Sequence, residues 1–433
     1  MVTGSAIREI CHAAIEAVMP ENFIPATVIR KGSRLNIKGK SYDLESYSHI
    51  YIISVGKAAV GMVSALDKII HPYVTEGIIL TKQLPQDPPQ PGLYRLIQGG
   101  HPVPTTGSIA GAEAILTLLE KARKEDLVIF LISGGGSALM TLPVNGIDLE
   151  TFQAFTNAVL ACGASINEFN TLRKHLDSVK GGRLAQRAAP AQQITLILSD
   201  VVGSPPEVIA SGPTVPDPTT YQDALDILNR YETGSIFPVK ILETLELGCA
   251  GIIPETLKYD EVDHSRADIF LLAENRTAAY AALSKAQELG LKGSVINTAL
   301  TGDASSIGAL MPSFFSELEE GKVLIFGGET TVRIKGSGLG GRNLEAALAS
   351  VRRMAERPGC VFVTLATDGE DGPTDAAGAV VTAETLSEAI KAGCDPDSFL
   401  RNNDSYHFFE KAGGLIKTGS TGTNVNDLML LLK

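Results

Sequence analysis

Short, almost wholly apolar segments alternate with longer amphipathic segments along most of this chain. In the first half, each apolar segment is followed by helical periodicity or by a loop rich in glycine and proline; these segments are HIYIISVG, GIILTK, LVIFLISG and ITLILSD. A strand that is apolar at every position is typical of a sheet covered on both faces. The pattern therefore predicts βαβ units and a doubly wound α/β sheet.

The strand signal lapses in the middle of the chain, where YQDALDILNRY and PVKILETLELG have helical periodicity. It returns in a second set of apolar segments, DIFLLAEN, KGSVINTAL, KVLIFGGETTVRIKG, CVFVTLATDG and NDLMLLL. A chain of 433 residues is also long for a single hydrophobic core. We therefore predict two α/β domains, a larger one over residues 1–235 and a smaller one over residues 236–433.

Composition narrows the choice of partners and location. A net charge of -12 argues against nucleic acid, although a few local cations can still bind a small anion. No apolar run approaches the ~18–20 residues of a membrane span. Arg8 and Glu9 interrupt the N-terminal apolar pattern, which predicts an amphipathic helix rather than a signal peptide. The 5 cysteines form no C-x-x-C pair, so we expect a reducing, cytoplasmic location and no zinc site.

Loops that follow strands are where ligands collect in open α/β sheets. Lys57 in SVGKAA directly follows a predicted strand and lies at a predicted helix start. Because a lysine is unfavourable beside the positive end of a helix dipole, we interpret Lys57 as part of an anion site; a solvated surface lysine is the alternative. In ISGGGSAL, the backbone N–H groups of four residues can converge on a phosphate or carboxylate; these residues are Gly134, Gly135, Gly136 and Ser137. A plain βα turn is the alternative.

Carboxylates follow two other strands. Ser199 and Asp200 end the strand in ITLILSD, where Asp200 fits a metal ligand or general base as well as it fits a helix N-cap. In ATDGEDGPTDAAGA, Asp368 is the first of four carboxylates that follow a buried strand. Such crowding favours a bound cation such as Mg²⁺, which one or two carboxylates hold together with substrate phosphates; an exposed acidic turn is the alternative.

Further candidates lie in polar loops. The segment KTGSTGTNVNDL concentrates hydroxyl and amide groups before the last strand, and Thr421 and Asn424 are its candidates for contacts with a polar ligand. His101 in GGHPVP and Lys180 in VKGGR are candidates as well, although a structural role in the loop explains each nearly as well.

The segment IKGSGLGGRNLEAAL matches the dinucleotide fingerprint G-x-G-x-x-G at Gly336, Gly338 and Gly341. This match predicts a nicotinamide enzyme with an acidic residue about 20 positions later to hold the ribose. The next strand instead ends at Asp368, 27 residues after Gly341 (368 − 341). Arg342 follows the glycines, and a guanidinium there suits an anion with developing charge. We therefore interpret the glycines as a flexible approach to Arg342.

Several long motifs coincide in order along nearly the whole chain. They resemble the glycerate kinases of the MOFRL type, and they are SVGKAA, GGHPVP, ISGGGSAL, LRKHLDSVKGGRLA, SDVVGSPPEVIASGPTVPD, GGETTV, GGRNLE, ATDGEDGPTDAAGA and TGTNVNDL. One departure is Ser420, where the family's last motif has proline. This departure removes no candidate catalytic group.

The resemblance implies ATP-dependent phosphorylation of D-glycerate, with the 2-hydroxyl as acceptor, 2-phosphoglycerate as product, and Mg²⁺ or another divalent cation as cofactor. It also implies a Rossmann-like N-terminal domain, a smaller C-terminal MOFRL domain, and an active site in the cleft between them. The alternatives are transfer to the 3-hydroxyl, a hydroxypyruvate reductase that uses NAD(P), and a non-catalytic protein that binds small anions. Whether the chain forms a homo-oligomer is left open.

The resemblance also assigns roles to residues. Lys57 and Arg342 match the family's functional lysine and arginine. Asp200 or Asp368 would hold the metal or orient the attacking hydroxyl, and we count Asp200 with the catalytic residues. Contacts with the nucleotide are expected from Gly134, Gly135, Gly136, Ser137, Ser199, Lys180, Thr421 and Asn424.

Overall fold

A computed structural model describes residues 3–90, 92–231 and 236–433. These residues divide into two compact units. The parallel-sheet unit, as we name it, contains Ile24–Ser199 and Ser204–Leu272. The mixed-sheet unit contains the chain up to Phe23, Asp200–Gly203 and Ala273–Lys433. Among the described residues, no helix combines the length and apolar character that a membrane crossing requires.

Helices and strands alternate along most of both units. The helices are α1 Gly4–Glu16, α2 Pro20–Thr27, α3 Ala59–Ile70, α4 Thr106–Leu119, α5 Gly136–Leu139, α6 Leu149–Ala161, α7 Ile166–His175, α8 Arg183–Ala188, α9 Tyr221–Tyr231, α10 Val239–Cys249, α11 Asn275–Glu288, α12 Ala304–Leu310, α13 Arg342–Met354, α14 Thr385–Lys391, α15 Pro396–Arg401 and α16 Ser405–Ala412. The strands are β1 Val28–Lys31, β2 Arg34–Ile37, β3 Lys40–Asp43, β4 Ile50–Val55, β5 Glu76–Thr81, β6 Tyr94–Gln98, β7 Leu127–Ile132, β8 Gln192–Leu198, β9 Ala267–Ala273, β10 Lys292–Asp303, β11 Lys322–Thr331, β12 Val361–Ala366, β13 Gly378–Thr382, β14 Leu415–Ile416 and β15 Asp427–Leu432.

The parallel-sheet unit is built on a six-stranded sheet with the order β6-β5-β4-β7-β8-β9. Neighbouring strands from β6 to β8 pair in parallel. Numbered by chain order within the sheet, the strands run 3-2-1-4-5-6, which is the order of the dinucleotide-binding α/β fold. The order reverses between β4 and β7, and both strands are buried at every position. The predicted α/β fold class is therefore confirmed.

The mixed-sheet unit has a six-stranded sheet with the order β10-β11-β15-β12-β13-β14. Strands β10 and β11 are parallel, and the other pairs are antiparallel. The register places Asp427, the first residue of β15, opposite Gly328 on β11 and Ala366 on β12. The central strand therefore begins with a carboxylate between two neighbouring strands.

An aromatic cluster under α6, α7, α9 and α10 supports one side of the parallel-sheet unit. The Phe155 ring lies 6.3 Å from that of Phe152 and 6.0 Å from that of Phe237. Tyr221 packs edge-on against His175, with ring centroids 4.7 Å apart. This packing fixes α7, which carries Arg173 and leads into the turn with Asp177 and Lys180.

Two features of the fold go beyond the sequence analysis. Strands β1, β2 and β3 form a small antiparallel sheet that was not predicted, because each has only 4 residues and most of these are exposed. Strand β9 lies beside β8 in the parallel sheet, whereas the sequence grouped DIFLLAEN with the later strands. The predicted boundary after residue 235 falls on residues 232–235, which lie outside the described residues, and it stays a prediction.

Candidate active site

Lys57 and the glycine loop of ISGGGSAL meet where the strand order of the parallel sheet reverses. The N–H of Lys57 donates to the carbonyl oxygen of Gly134 at 2.9 Å, and the N–H of Ala58 donates to Oγ of Ser133 at 3.1 Å. Gly56 permits this approach, since a Cβ atom there would lie 2.1 Å from Oγ of Ser133. Ligands of open α/β sheets bind at such a reversal, beyond the carboxyl ends of the strands.

His101 lies against the same loop and is surrounded by cations. A Cβ atom on Gly135 would lie 3.0 Å from Cδ2 of His101 and 3.2 Å from Cγ of Lys57. Burial, together with the charges of Lys57, Lys82 and Arg173, lowers the pKa of His101 from 6.5 to about 4. The imidazole is therefore neutral near pH 7, and the local excess of positive charge favours an anionic ligand.

The glycine loop is braced by a second loop with a left-handed backbone. Ala210 and Ser211 have φ values of 51° and 62°, a conformation that residues other than glycine rarely adopt. A Cβ atom on Gly136 would lie 2.7 Å from Cβ of Ala210, and Oγ of Ser137 lies 2.8 Å from Oγ of Ser211. Because α5 has only 4 residues, backbone N–H groups rather than a helix dipole would bind an anion here.

Lys180 does not reach the surface of this loop. It is 0% exposed, and its Nζ donates to the carbonyl oxygen of Met140 and pairs with Oδ2 of Asp177 at 3.4 Å. Burial lowers the pKa of Lys180 from 10.5 to about 8, while Asp177 opposes the shift. The ammonium group therefore ties the segment after the glycine loop to the turn that follows α7.

Ser199 and Asp200 follow the end of β8, as predicted. Ser199 is buried and belongs to the parallel-sheet unit, whereas Asp200 is half-buried and is grouped with the mixed-sheet unit. The division of the chain into units therefore passes between two adjacent candidate residues.

Arg342 begins helix α13, and its guanidinium contacts two carboxylates. Nε donates to Oδ2 of Asp427 at 2.5 Å, Nη2 to Oδ1 of Asp427 at 3.3 Å, and Nη1 to Oε1 of Glu329 at 2.6 Å. Burial alone would lower the pKa of Arg342, but Asp427 and Glu329 raise it above its ordinary value. Sequence reasoning identified Arg342 and missed both partners. Glu329 lies within β11 and Asp427 begins β15, so their only signal was a carboxylate within an apolar strand segment, in GGETTV and NDLMLLL.

Asp371 caps the same helix. Its carboxylate accepts the N–H groups of Asn343 at 3.0 Å and Leu344 at 2.7 Å. Burial raises the pKa of Asp371 from 3.8 to about 6, although these hydrogen bonds oppose the shift. Gly341 leaves room for the cap, since a Cβ atom there would lie 2.4 Å from Cγ of Asp371.

The raised pKa of Asp371 predicts a pH-dependent loss of stability. Between pH 3.8 and about 6 the folded state binds more protons at this group than the unfolded state does, so the contribution of Asp371 to stability falls as pH rises. The full shift corresponds to about 3 kcal/mol. Denaturant unfolding at several pH values should therefore show that the free energy of unfolding of Asp371→Asn rises relative to that of the wild type between pH 4 and pH 6. Parallel curves for the two proteins across this range would contradict the assignment.

The glycines of GSGLGG serve close packing, which corrects the expectation of a flexible approach. A Cβ atom on Gly338 would lie 2.3 Å from Cβ of Asp404. The N–H of Gly338 donates to the carbonyl oxygen of Asn402, and the N–H of Leu339 donates to Oδ1 of Asp404, both at 2.9 Å. These amides bind the turn before α16, so they are not free to bind a pyrophosphate.

The remaining candidates lie in two touching loops of the mixed-sheet unit. The N–H of Thr421 donates to the carbonyl oxygen of Asp368 at 3.1 Å, and its hydroxyl donates to the carbonyl oxygen of Thr367 at 2.7 Å. Oδ1 of Asn424 accepts the N–H of Asn426 at 2.9 Å. The hydroxyl of Thr421 and the amide oxygen of Asn424 therefore shape the loop that lies against Asp368.

Comparisons with known proteins cover both units. A domain of unknown function (DUF4147) matches residues 6–246, and the MOFRL family matches residues 322–427. A glycerate 2-kinase from Pyrococcus horikoshii is 40% identical over 97% of this chain and 94% of its own length. The chain belongs to the MOFRL-type glycerate kinase family. A solved structure of a glycerate kinase from Thermotoga maritima has a TM-score of 0.87 at 37% identity, with 99% of this chain and 98% of that chain covered.

Membership of the glycerate kinase family confirms the resemblance read from the motifs. The MOFRL match spans the segment that carries Glu329, Arg342 and Asp427. One further relative, from Agrobacterium vitis, carries the provisional name hydroxypyruvate reductase and is 39% identical over 88% of this chain and 86% of its own length. The roles of Lys57 and Arg342 within the family pattern stay predictions.

Proposed function

We propose that this protein transfers the γ-phosphoryl group of ATP to the 2-hydroxyl of D-glycerate, which yields 2-phosphoglycerate and ADP. The names of the glycerate kinase relatives support this reaction class. The observation that carries the proposal is the exposed Lys57 beside the Gly134–Ser137 loop, at the reversal of the strand order. Both substrates are anions, and this part of the parallel-sheet unit is cationic.

Phosphoryl transfer depends mainly on positioning and on neutralising charge. We propose that Lys57 and Arg342 both act on the transferred phosphoryl group, and that N–H groups of the Gly134–Ser137 loop bind phosphate oxygens. The hydroxyl oxygen of glycerate forms the new bond to the γ-phosphorus, and the bond to the bridging oxygen of ADP breaks. Asp200 would orient the hydroxyl and take up its proton.

Mg²⁺ is the expected cofactor, and we propose that it enters with the nucleotide. Within the described part of the chain, no group of three or more His, Cys, Asp or Glu side chains forms a closed metal site. Mg²⁺ needs only one or two protein carboxylates when substrate phosphates supply the other ligands. Asp368 would provide such a carboxylate while Asp200 acts on the hydroxyl, and the metal would neutralise phosphate charge.

The reductase alternative has little support in the geometry. Its sequence signal was the glycine loop before Arg342, and N–H groups of that loop are bound to Asn402 and Asp404.

We also propose a reducing, cytoplasmic location. The 5 cysteines are all free thiols, which supports this proposal.

One assay separates the candidate reactions. We expect glycerate with ATP and Mg²⁺ to give ADP, and glycerate with NAD⁺ or NADP⁺ to give no absorbance change at 340 nm. Enolase added without phosphoglycerate mutase should convert the product to phosphoenolpyruvate, because enolase acts on 2-phosphoglycerate. ADP formation without phosphoenolpyruvate would move the reaction to the 3-hydroxyl, and reduction of the nicotinamide without ADP would replace the kinase by the reductase.

A further inference from the structure

The guanidinium of Arg342 is held at two of its edges. Asp427 binds it side-on through Nε and Nη2, and Glu329 binds Nη1. A guanidinium has five N–H donors, and these three contacts leave two donors (5 − 3) for another acceptor. Arg342 is thus oriented while part of its hydrogen-bonding capacity remains for an anion.

Asp427 is the fixed member of this group. Its backbone lies between β11 and β12 as the first residue of β15, and its carbonyl oxygen accepts Nδ2 of Asn275 at 2.9 Å. The Asp427 side chain is 5% exposed, against 40% for Glu329. Glu329 meets the guanidinium from the solvent side, where water screens the interaction. The buried, sheet-anchored carboxylate therefore sets the direction of the guanidinium.

We propose that Asp427 is a positioning residue for phosphoryl transfer, which it serves by orienting the guanidinium of Arg342. The proposal rests on the proposed function, because it needs Arg342 to act on the phosphoryl group. Asp427 itself touches Arg342, the neighbouring side chain of Asn343 and the sheet. A displaced guanidinium would keep its charge and lose its direction, which lowers turnover more than it lowers substrate binding.

A double-mutant cycle tests the proposal, with Asp427→Asn, Arg342→Lys and the combined variant compared with the wild type. Asp427→Asn should lower kcat by about 10- to 100-fold in the protein that keeps Arg342, with a smaller change in KM. In the Arg342→Lys background the same change should lower kcat by less than about threefold, because lysine cannot make the side-on pair. Losses that multiply in the combined variant, or full activity of folded Asp427→Asn, would overturn the proposal.

Further variants separate positioning from folding. Asp397→Asn is the matched control, since it removes one carboxylate charge from an exposed ion pair with Arg352 in the same unit, and kcat should stay unchanged. Should Asp427→Asn not fold, Asp427→Glu keeps the charge and moves the carboxylate by one methylene. The same loss of kcat is expected for it, and wild-type kcat in Asp427→Glu would count against positioning.

A spectroscopic readout distinguishes this proposal from the proposed function. In ¹⁵N-arginine-labelled protein, the Nε–H signal that disappears in Arg342→Lys belongs to Arg342, and it should shift in Asp427→Asn but not in Asp397→Asn. An unshifted signal would overturn the positioning role even where glycerate kinase activity is present. A wild-type protein without that activity would instead refute the proposed function, and the catalytic role of Asp427 with it.

Discussion

Replacing Lys57 by alanine is expected to lower kcat for glycerate phosphorylation by about 10²- to 10³-fold, the usual effect of removing one group that stabilises transition-state charge. The side chain is exposed, so its removal creates no cavity. The contact that joins β4 to the glycine loop is made by the backbone N–H of Lys57 and survives the substitution. Steady-state kinetics with ATP, Mg²⁺ and glycerate, together with a thermal unfolding curve, measure both effects.

The matched control for this prediction is Lys68→Ala. Lys68 lies in the last turn of α3, the helix that begins two residues after Lys57, and it is also exposed. Its removal should leave kcat and the unfolding temperature unchanged. Near-normal turnover of Lys57→Ala, or an equal loss in Lys68→Ala, would remove Lys57 from the mechanism.

Replacing Lys180 by methionine is expected to destabilise the protein by about 3–5 kcal/mol, the usual consequence of breaking a buried ion pair. Asp177 is 0% exposed and would keep a buried carboxylate without its cation. The carbonyl oxygen of Met140 would also lose its donor. Denaturant unfolding measures this loss directly, and any effect on ATP binding should follow from the shifted glycine loop.

Two variants make the Lys180 prediction specific. Lys121→Met breaks an ion pair with Glu76 in the same unit, and both of these side chains are about half exposed. That loss should be at most about 1 kcal/mol, because water screens exposed pairs. The double variant Lys180→Met with Asp177→Asn should be more stable than Lys180→Met alone, since it removes the unpaired buried carboxylate and keeps an oxygen that can accept the N–H of Val179. Equal losses in the free energy of unfolding for Lys180→Met and Lys121→Met would contradict a structural role of Lys180.

The sequence anticipated the strands that surround the candidate site. Strands β4, β7, β8 and β12 fall within the apolar segments read from the pattern, and Lys57, Gly134 and Asp368 follow three of these strands as predicted. Burial on both faces leaves a local mark in the sequence, because most positions of such a strand are then apolar.

The sequence did not reveal which side chains neutralise one another. Lys180 was a candidate for nucleotide binding, but in the structure its ammonium group pairs with the carboxylate of Asp177 and donates to the carbonyl oxygen of Met140. The glycines before Arg342 matched a ligand-binding pattern and instead pack against the turn before α16. In both cases the local motif fits two uses, and a partner distant in the chain decides between them.

The family, the α/β class and the segments that carry Lys57 and Arg342 could be predicted from the sequence, since each of them depends on residues that are consecutive in the chain. The contacts of Arg342 with Asp427 and Glu329, which are 85 and 13 residues away in the chain, became apparent from the three-dimensional structure. These two carboxylates lie close to each other because β11 pairs with β15 in one particular register. Strand pairing is a property of the whole sheet, so the charge that surrounds Arg342 could not be read from its own segment.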